Sequence, residues 1–98
     1  MMPIELNTWI VRKEGLLAAP ADKDLVIVSP ESNHYIALDE IGRRIWELLA
    51  EPRRVFDLSH DLASEFRGTE EQIAADVLEF LVELDKYNLI QITNGRAA

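Results

Sequence analysis

An α+β fold with strands first and helices after is predicted by three observations. Short β-branched apolar runs broken by turn formers fill the first third of the chain, the apolar period changes from two to about 3.6 at Asp39, and the later runs are punctuated by Pro52 and Gly68. Length and composition agree. With 98 residues, 48% of them hydrophobic, the chain can fill one modest core, because a domain of this size removes roughly 60–70% of its unfolded surface from water. Residues 1–98 are therefore expected to form a single domain, with an ordered core from about 6 to 93.

Taken in order, strands are expected near Thr8 to Arg12, Asp24 to Ser29 and His34 to Leu38, separated by Glu14-Gly15, Pro20 to Asp24 and Pro30 to Asn33. The last two strands are close enough for an antiparallel hairpin through Pro30-Glu31-Ser32-Asn33. Asp39 is a candidate N-cap, and Ile41, Ile45, Leu48 and Leu49 follow at helical spacing beside Trp46, predicting a first helix that ends before Pro52. Val55, Leu58, Leu62 and Phe66 share one face of a second helix, with Gly68 placed as its C-cap. Thr69 to Gln72 reads as a capping box opening a third helix from about Glu70 to Tyr87. Leu89 to Thr93 either adds a terminal strand or closes the core, and Asn94 to Ala98 is expected to be a frayed tail. A three-stranded antiparallel sheet followed by three helices is the outline of a winged helix-turn-helix-like domain.

Charge and chemistry narrow the function. The net charge is -8, which repels nucleic acid and anionic membranes overall. There is no cysteine, no basic-then-apolar start and no run near 18 apolar residues, so a cytoplasmic, non-spanning protein is expected. Ser59, His60 and Asp61 are adjacent, and neighbours on a helix point about 100° apart, so they do not converge as a catalytic triad. His34 and His60 stand without metal-ligand spacing, and the glycines are scattered rather than gathered in a phosphate-binding loop. No enzyme activity, metal or cofactor is expected. Arg43-Arg44 and Arg53-Arg54 are expected to pair with acids such as Glu40, Glu47 and Glu51, while Glu70, Glu71, Asp76, Glu79, Glu83 and Asp85 against Lys86 disfavour duplex DNA at the third helix.

The third helix and the third predicted strand are the informative features. With Ile73 at 0° and about 100° per residue, Phe80, Ile73, Leu84 and Val77 form a core stripe, and Leu81, Ala74, Leu78 and Val82 carry the apolar arc on to about 180°. That extension is either covered by strands and the terminal segment or open as a groove for an apolar ligand. Sequential hairpins make the second strand central and leave a free edge on the strands at Thr8 and at His34. Asn33-His34-Tyr35-Ile36-Ala37-Leu38 has no Lys, Pro or inward charge to guard its edge, although shortness and the following helix are an alternative safeguard. A bare edge beside an apolar helix suits β-augmentation by an extended peptide, and equally suits pairing of two copies of the chain.

Tyr35 to Leu49 resembles the PqqD family of leader-peptide recognition domains: an aromatic-containing strand, Leu38-Asp39, Gly42, then Ile45-Trp46. Glu51-Pro52-Arg53, Leu58 to Leu62, Ala75-Asp76-Val77 and Phe80-Leu81-Leu84 through Leu89-Ile90 continue the pattern in order, over about Leu25 to Ile92. The resemblance implies a non-catalytic domain that captures the leader of a ribosomally made precursor peptide (RiPP) and presents it to a modifying enzyme, such as a leader peptidase or a radical SAM enzyme. It further implies strand addition to Asn33, His34, Tyr35, Ile36, Ala37 and Leu38, and a groove on Ala74, Val77, Leu78, Leu81 and Val82. Glu71 and Asp85 are then expected to attract basic leader residues, and Leu78→Asp or Leu81→Asp to weaken binding with the fold retained. Arg54 stands where related domains often have Thr, so the second helix is expected to start about 1 kcal/mol looser. Val26 to Glu31 is similar to quinone-cofactor (PQQ) members, Glu51-Pro52-Arg53 to stand-alone lasso-peptide domains, and both assignments stay open. Gly15 to Lys23 is longer and more apolar than the pattern and is assigned to packing or an enzyme contact. The second reading is a winged-helix module for DNA binding or protein scaffolding.

Overall fold

In the computed structural model, which describes residues 4–31 and 33–93, the elements follow in the order β1 (Trp9–Arg12), β2 (Leu17–Ala21), β3 (Asp24–Ser29), β4 (His34–Leu38), α1 (Glu40–Leu48), β5 (Arg53–Arg54), α2 (Val55–Glu65), α3 (Glu70–Lys86) and β6 (Ile90–Thr93). The α+β class and its strands-then-helices order are as the sequence predicts. The membership of the three-stranded sheet is not. β3 is central as expected, but its second neighbour is β2, giving the order β2-β3-β4. The strand expected at Thr8 to Arg12 leaves that sheet and is central in another, β5-β1-β6, where Ile10 faces Ile92 and Arg53.

Local chemistry explains both outcomes. Gly15 adopts φ +83°, a left-handed turn that redirects the chain after β1. Ala21 and Asp24 then close a two-residue hairpin loop whose first residue, Asp22, has the positive φ of 61° that such turns need. The strand β2 carries no pattern of its own, because Leu-Ala-Ala-Pro-Ala has weak strand propensity and all five residues are exposed.

The helices keep their expected starts. Asp39 Oδ1 accepts from the Gly42 amide at 2.9 Å at the head of α1, and the Thr69 hydroxyl accepts from Gln72 N at 3.1 Å at the head of α3. The start of α2 has no side-chain cap at Arg54, as its sequence implies. Its end corrects the expected Gly68 cap: Phe66 closes it, donating to the Leu62 carbonyl, and Gly68 follows with φ +139°.

The core gathers Ile10 from one sheet, Ile27 and Leu38 from the other, and Ile45, Leu49, Leu58, Leu81 and Leu84 from the helical half. Arg43, Arg44, Arg53 and Arg54 are used structurally. Arg53 donates to the Leu48 carbonyl at 2.8 Å and pairs with Asp61, Arg54 pairs with Asp57, and Arg43 with Glu47. Arg44 bonds Glu65 at 2.8 Å, which holds that carboxylate below its ordinary pKa, and also reaches Glu47. Of the expected partners only Glu47 serves; Glu65 replaces the others for Arg44 because the fold brings α2 against α1, while Arg53 and Arg54 pair with Asp61 and Asp57 in the first turns of α2, which follows them. The expected tail Asn94 to Ala98 lies outside the described residues.

Candidate functional site

Backbone register decides what β4 offers. Pro20 has no N–H, and opposite Leu25 it occupies the ladder position next to the closing pair Ala21↔Asp24, where the amide faces away from β3. Alternation then turns the backbone groups of Leu25, Ile27 and Ser29 toward β4, where they meet Leu38, Ile36 and His34. Tyr35 and Ala37 are left with their N–H and C=O on the outer edge, which has no partner strand among the described residues. The side chains alternate the other way. His34, Ile36 and Leu38 point to the inner face, with Leu38 in the core, whereas Tyr35 stands 77% exposed on the outer face.

The helix α3 runs antiparallel past the inner face of β4. His34 and Tyr87 rings meet edge to face at 6.3 Å at one end, and Phe80 lies beside Leu38 and Gly42 at the other. The lengths match: seven helical residues advance about 10 Å and four strand residues about 13 Å. Gly42 favours this approach, because a Cβ there would sit 3.1 Å from Phe80 Cζ and 3.2 Å from Leu38 Cβ, and the neighbours would have to give by a few tenths of an ångström. Just past the end of β4 a cleft of about 280 Å³ opens between α1 and α3, lined by Asp39, Ile41, Ile73, Asp76 and Phe80 among others.

The structure divides the expected groove residues between the core, two clefts and the open surface. Val77 (2% exposed) is a core residue that also floors the cleft between α1 and α3, whereas Leu81 (0%) lies wholly in the core, and Leu81→Asp is expected to unfold the protein by burying a carboxylate rather than leave the fold intact. Ala74 and Leu78 are half-buried and line a different cleft, against Leu6, Phe56 and His60. Val82 is 55% exposed. On the helical wheel Phe80 and Tyr87 stand about 140° or more from Leu78, so the bare edge and the expected groove lie on opposite flanks of α3. Glu71 follows Ala74 into the second cleft, and Asp85 lies on that same side of the wheel. The acids beside the Phe80–Tyr87 flank are Asp76 and Glu83. Phe80 and Ile73, expected in the core stripe, are only partly buried, and Tyr87 continues their i, i+7 row.

No three His, Cys, Asp or Glu residues gather as a metal site among the described residues, and no helix there is long and apolar enough to cross a membrane. The surface at β4 and α3 therefore offers backbone hydrogen bonds, apolar contact and negative charge. The family model for coenzyme PQQ synthesis protein D (PqqD) matches residues 24–90, a span that contains β3, β4 and all three helices. This chain belongs to the PqqD family. A solved structure described as TbiB1 in complex with the TbiA(beta) leader peptide is similar to it, with 25% identity, a TM-score of 0.74, and coverage of 90% of this chain and 99% of that one. No curated protein matches the chain. The PqqD match begins at Asp24, so β1 and β2 lie outside it, whereas the structural likeness extends over most of the chain.

Proposed function

We propose that this PqqD-family chain is a non-catalytic, cytoplasmic recognition domain that binds the leader of a ribosomally made precursor peptide and presents it to a modifying enzyme. The leader adds as a strand to β4, bonding the free backbone groups of Tyr35 and Ala37 and crossing Asn33 to Leu38. Alternate leader side chains turn inward against Phe80, Tyr87 and the Ile41–Ile73 cleft, while Asp76 and Glu83 attract basic leader residues. Val77 and Leu81 support this wall from the core. The observation that carries the reading is the bare β4 edge backed by an apolar helix flank, in a chain similar to one solved with a leader peptide.

Affinity must come from side-chain pockets as well as the backbone, because each intermolecular amide bond contributes about 1 kcal/mol net and ordering a free leader costs about 2–5 kcal/mol. The test is an amide-resolved NMR titration with the leader half of a candidate precursor, and with a short DNA duplex as control. Shifts at Tyr35, Ala37, Phe80 and Tyr87, seen with peptide alone, are expected. Shifts produced by duplex and abolished by salt would instead establish the winged-helix nucleic-acid reading.

A further inference from the structure

The second flank of α3 carries a separate feature. Leu6, Phe56, Ala74 and Leu78 floor a cleft of about 410 Å³, with Glu70 and Glu71 on its rim. Its volume falls within the range of small-ligand and side-chain pockets. Two large apolar residues remain exposed in it, Phe56 at 51% and Leu6 at 39%. The walls are set before anything binds, since the amides of Val55 and Phe56 donate to the carbonyls of Thr8 and Leu6, both at 2.9 Å, and tie the N-terminal segment to α2.

Charge selects the occupant. No Lys or Arg is among the residues lining the cleft. Arg54 stacks on the Phe56 ring at 5.6 Å, and its charge is matched by Asp57 at 3.4 Å. His60 meets Glu70 at 3.1 Å, whereas Glu71 has no ion pair among the described contacts. Both glutamates lie in the first turn of α3, where the helix dipole offsets about half a charge, so the rim stays negative.

We infer that this cleft is a docking site for a segment of a second protein that inserts an aromatic or branched apolar side chain flanked by Lys or Arg. A strand added to β4 lies on the other flank of α3, so the site is distinct from the leader surface and does not depend on that reading. A leader and a basic partner segment fit the protein at the same time.

The test uses two blocked tripeptides, Ac-Lys-Trp-Lys-NH2 and Ac-Glu-Trp-Glu-NH2, titrated into the isotope-labelled full chain at low salt. The lysine peptide is expected to shift the amides of Phe56, Ala74, Ala75 and Leu78, leave Tyr35 and Ala37 in place, and bind about tenfold tighter than its acidic twin. That preference should shrink as salt rises, disappear in the Glu70→Gln/Glu71→Gln variant, and binding should be lost in Phe56→Ser, a surface change that leaves the fold intact. Absence of shifts at millimolar peptide, equal binding of the two peptides, or movement of β4 amides in place of the cleft amides would overturn the inference. So would a leader peptide that shifts the cleft amides, since the leader and not a second protein would then occupy it.

Discussion

The two outer strands of the β2-β3-β4 sheet are both five residues long, yet they are different kinds of edge. Pro20 occupies one of the two outward-facing positions of β2, with Ala18, where a missing N–H costs the ladder nothing and deprives an incoming strand of a donor. β4 has no such guard, and its inner face is backed by α3 through the His34–Tyr87 contact and by α1 through Gly42. A strand added to β2 would gain backbone bonds at a blunted edge beyond the core; a strand added to β4 would also gain side-chain contacts. An unguarded edge with an apolar wall beside it offers an incoming strand both backbone and side-chain contacts, whereas a proline-blunted edge beyond the core offers fewer of either.

The largest expected effect comes from Ile36→Pro. Its amide faces β3, so the ring removes a ladder bond and crowds a residue packed on the core; a loss of about 3 kcal/mol or more should lower the melting temperature by well over 10 °C. Moving the proline one residue, to Ala37→Pro, should leave melting nearly unchanged because that amide faces outward, while leader affinity falls about tenfold or more. If the two variants melt alike, the register assigned to the edge is wrong. Pro20→Val should open the guarded edge and strengthen self-association a few-fold by sedimentation, the gain of about one net hydrogen bond. Identical sedimentation of parent and variant would show that β2 is protected by something other than its proline.

The smallest effect is a control remote from both edges. Glu65→Gln removes the Arg44 pair joining α1 to α2, which is exposed and contributes little. Because the folded carboxylate titrates below its ordinary range, the pair's contribution is complete above the unfolded pKa and fades as pH falls through the lower folded value. The difference in melting between parent and variant should therefore be largest at neutral pH and vanish in acid, with leader binding at pH 7 unaffected.

Local rules made much of the fold legible. Asp39 and Thr69 announced their helices because a cap is a contact between residues three apart, and the β3–β4 hairpin announced itself through apolar runs separated by a short turn. The bare edge at Asn33 to Leu38 was legible for the same reason: the residues that would guard it are simply not in the strand. The partner of β1 was not legible, since Ile92 lies far along the chain from Ile10 and nothing in either sequence encodes their meeting.

The rotation of α3 is the sharpest case. Its apolar arc runs from Tyr87 and Phe80 through Val77 and Leu81 to Leu78, interrupted by Asp85 in the last turn, and an arc that wide has two apolar flanks. By itself the sequence determined that α3 would be buried along that arc, that β4 would be unguarded, and that the chain resembles the PqqD family. Only the tertiary structure decided that Phe80 and Tyr87 face β4 while Ala74 and Leu78 face α2. The physical reason is that a helix's buried centre is set by its own composition, whereas the assignment of its flanks depends on contacts such as Gly42 against Phe80, made between elements that packing alone brings together.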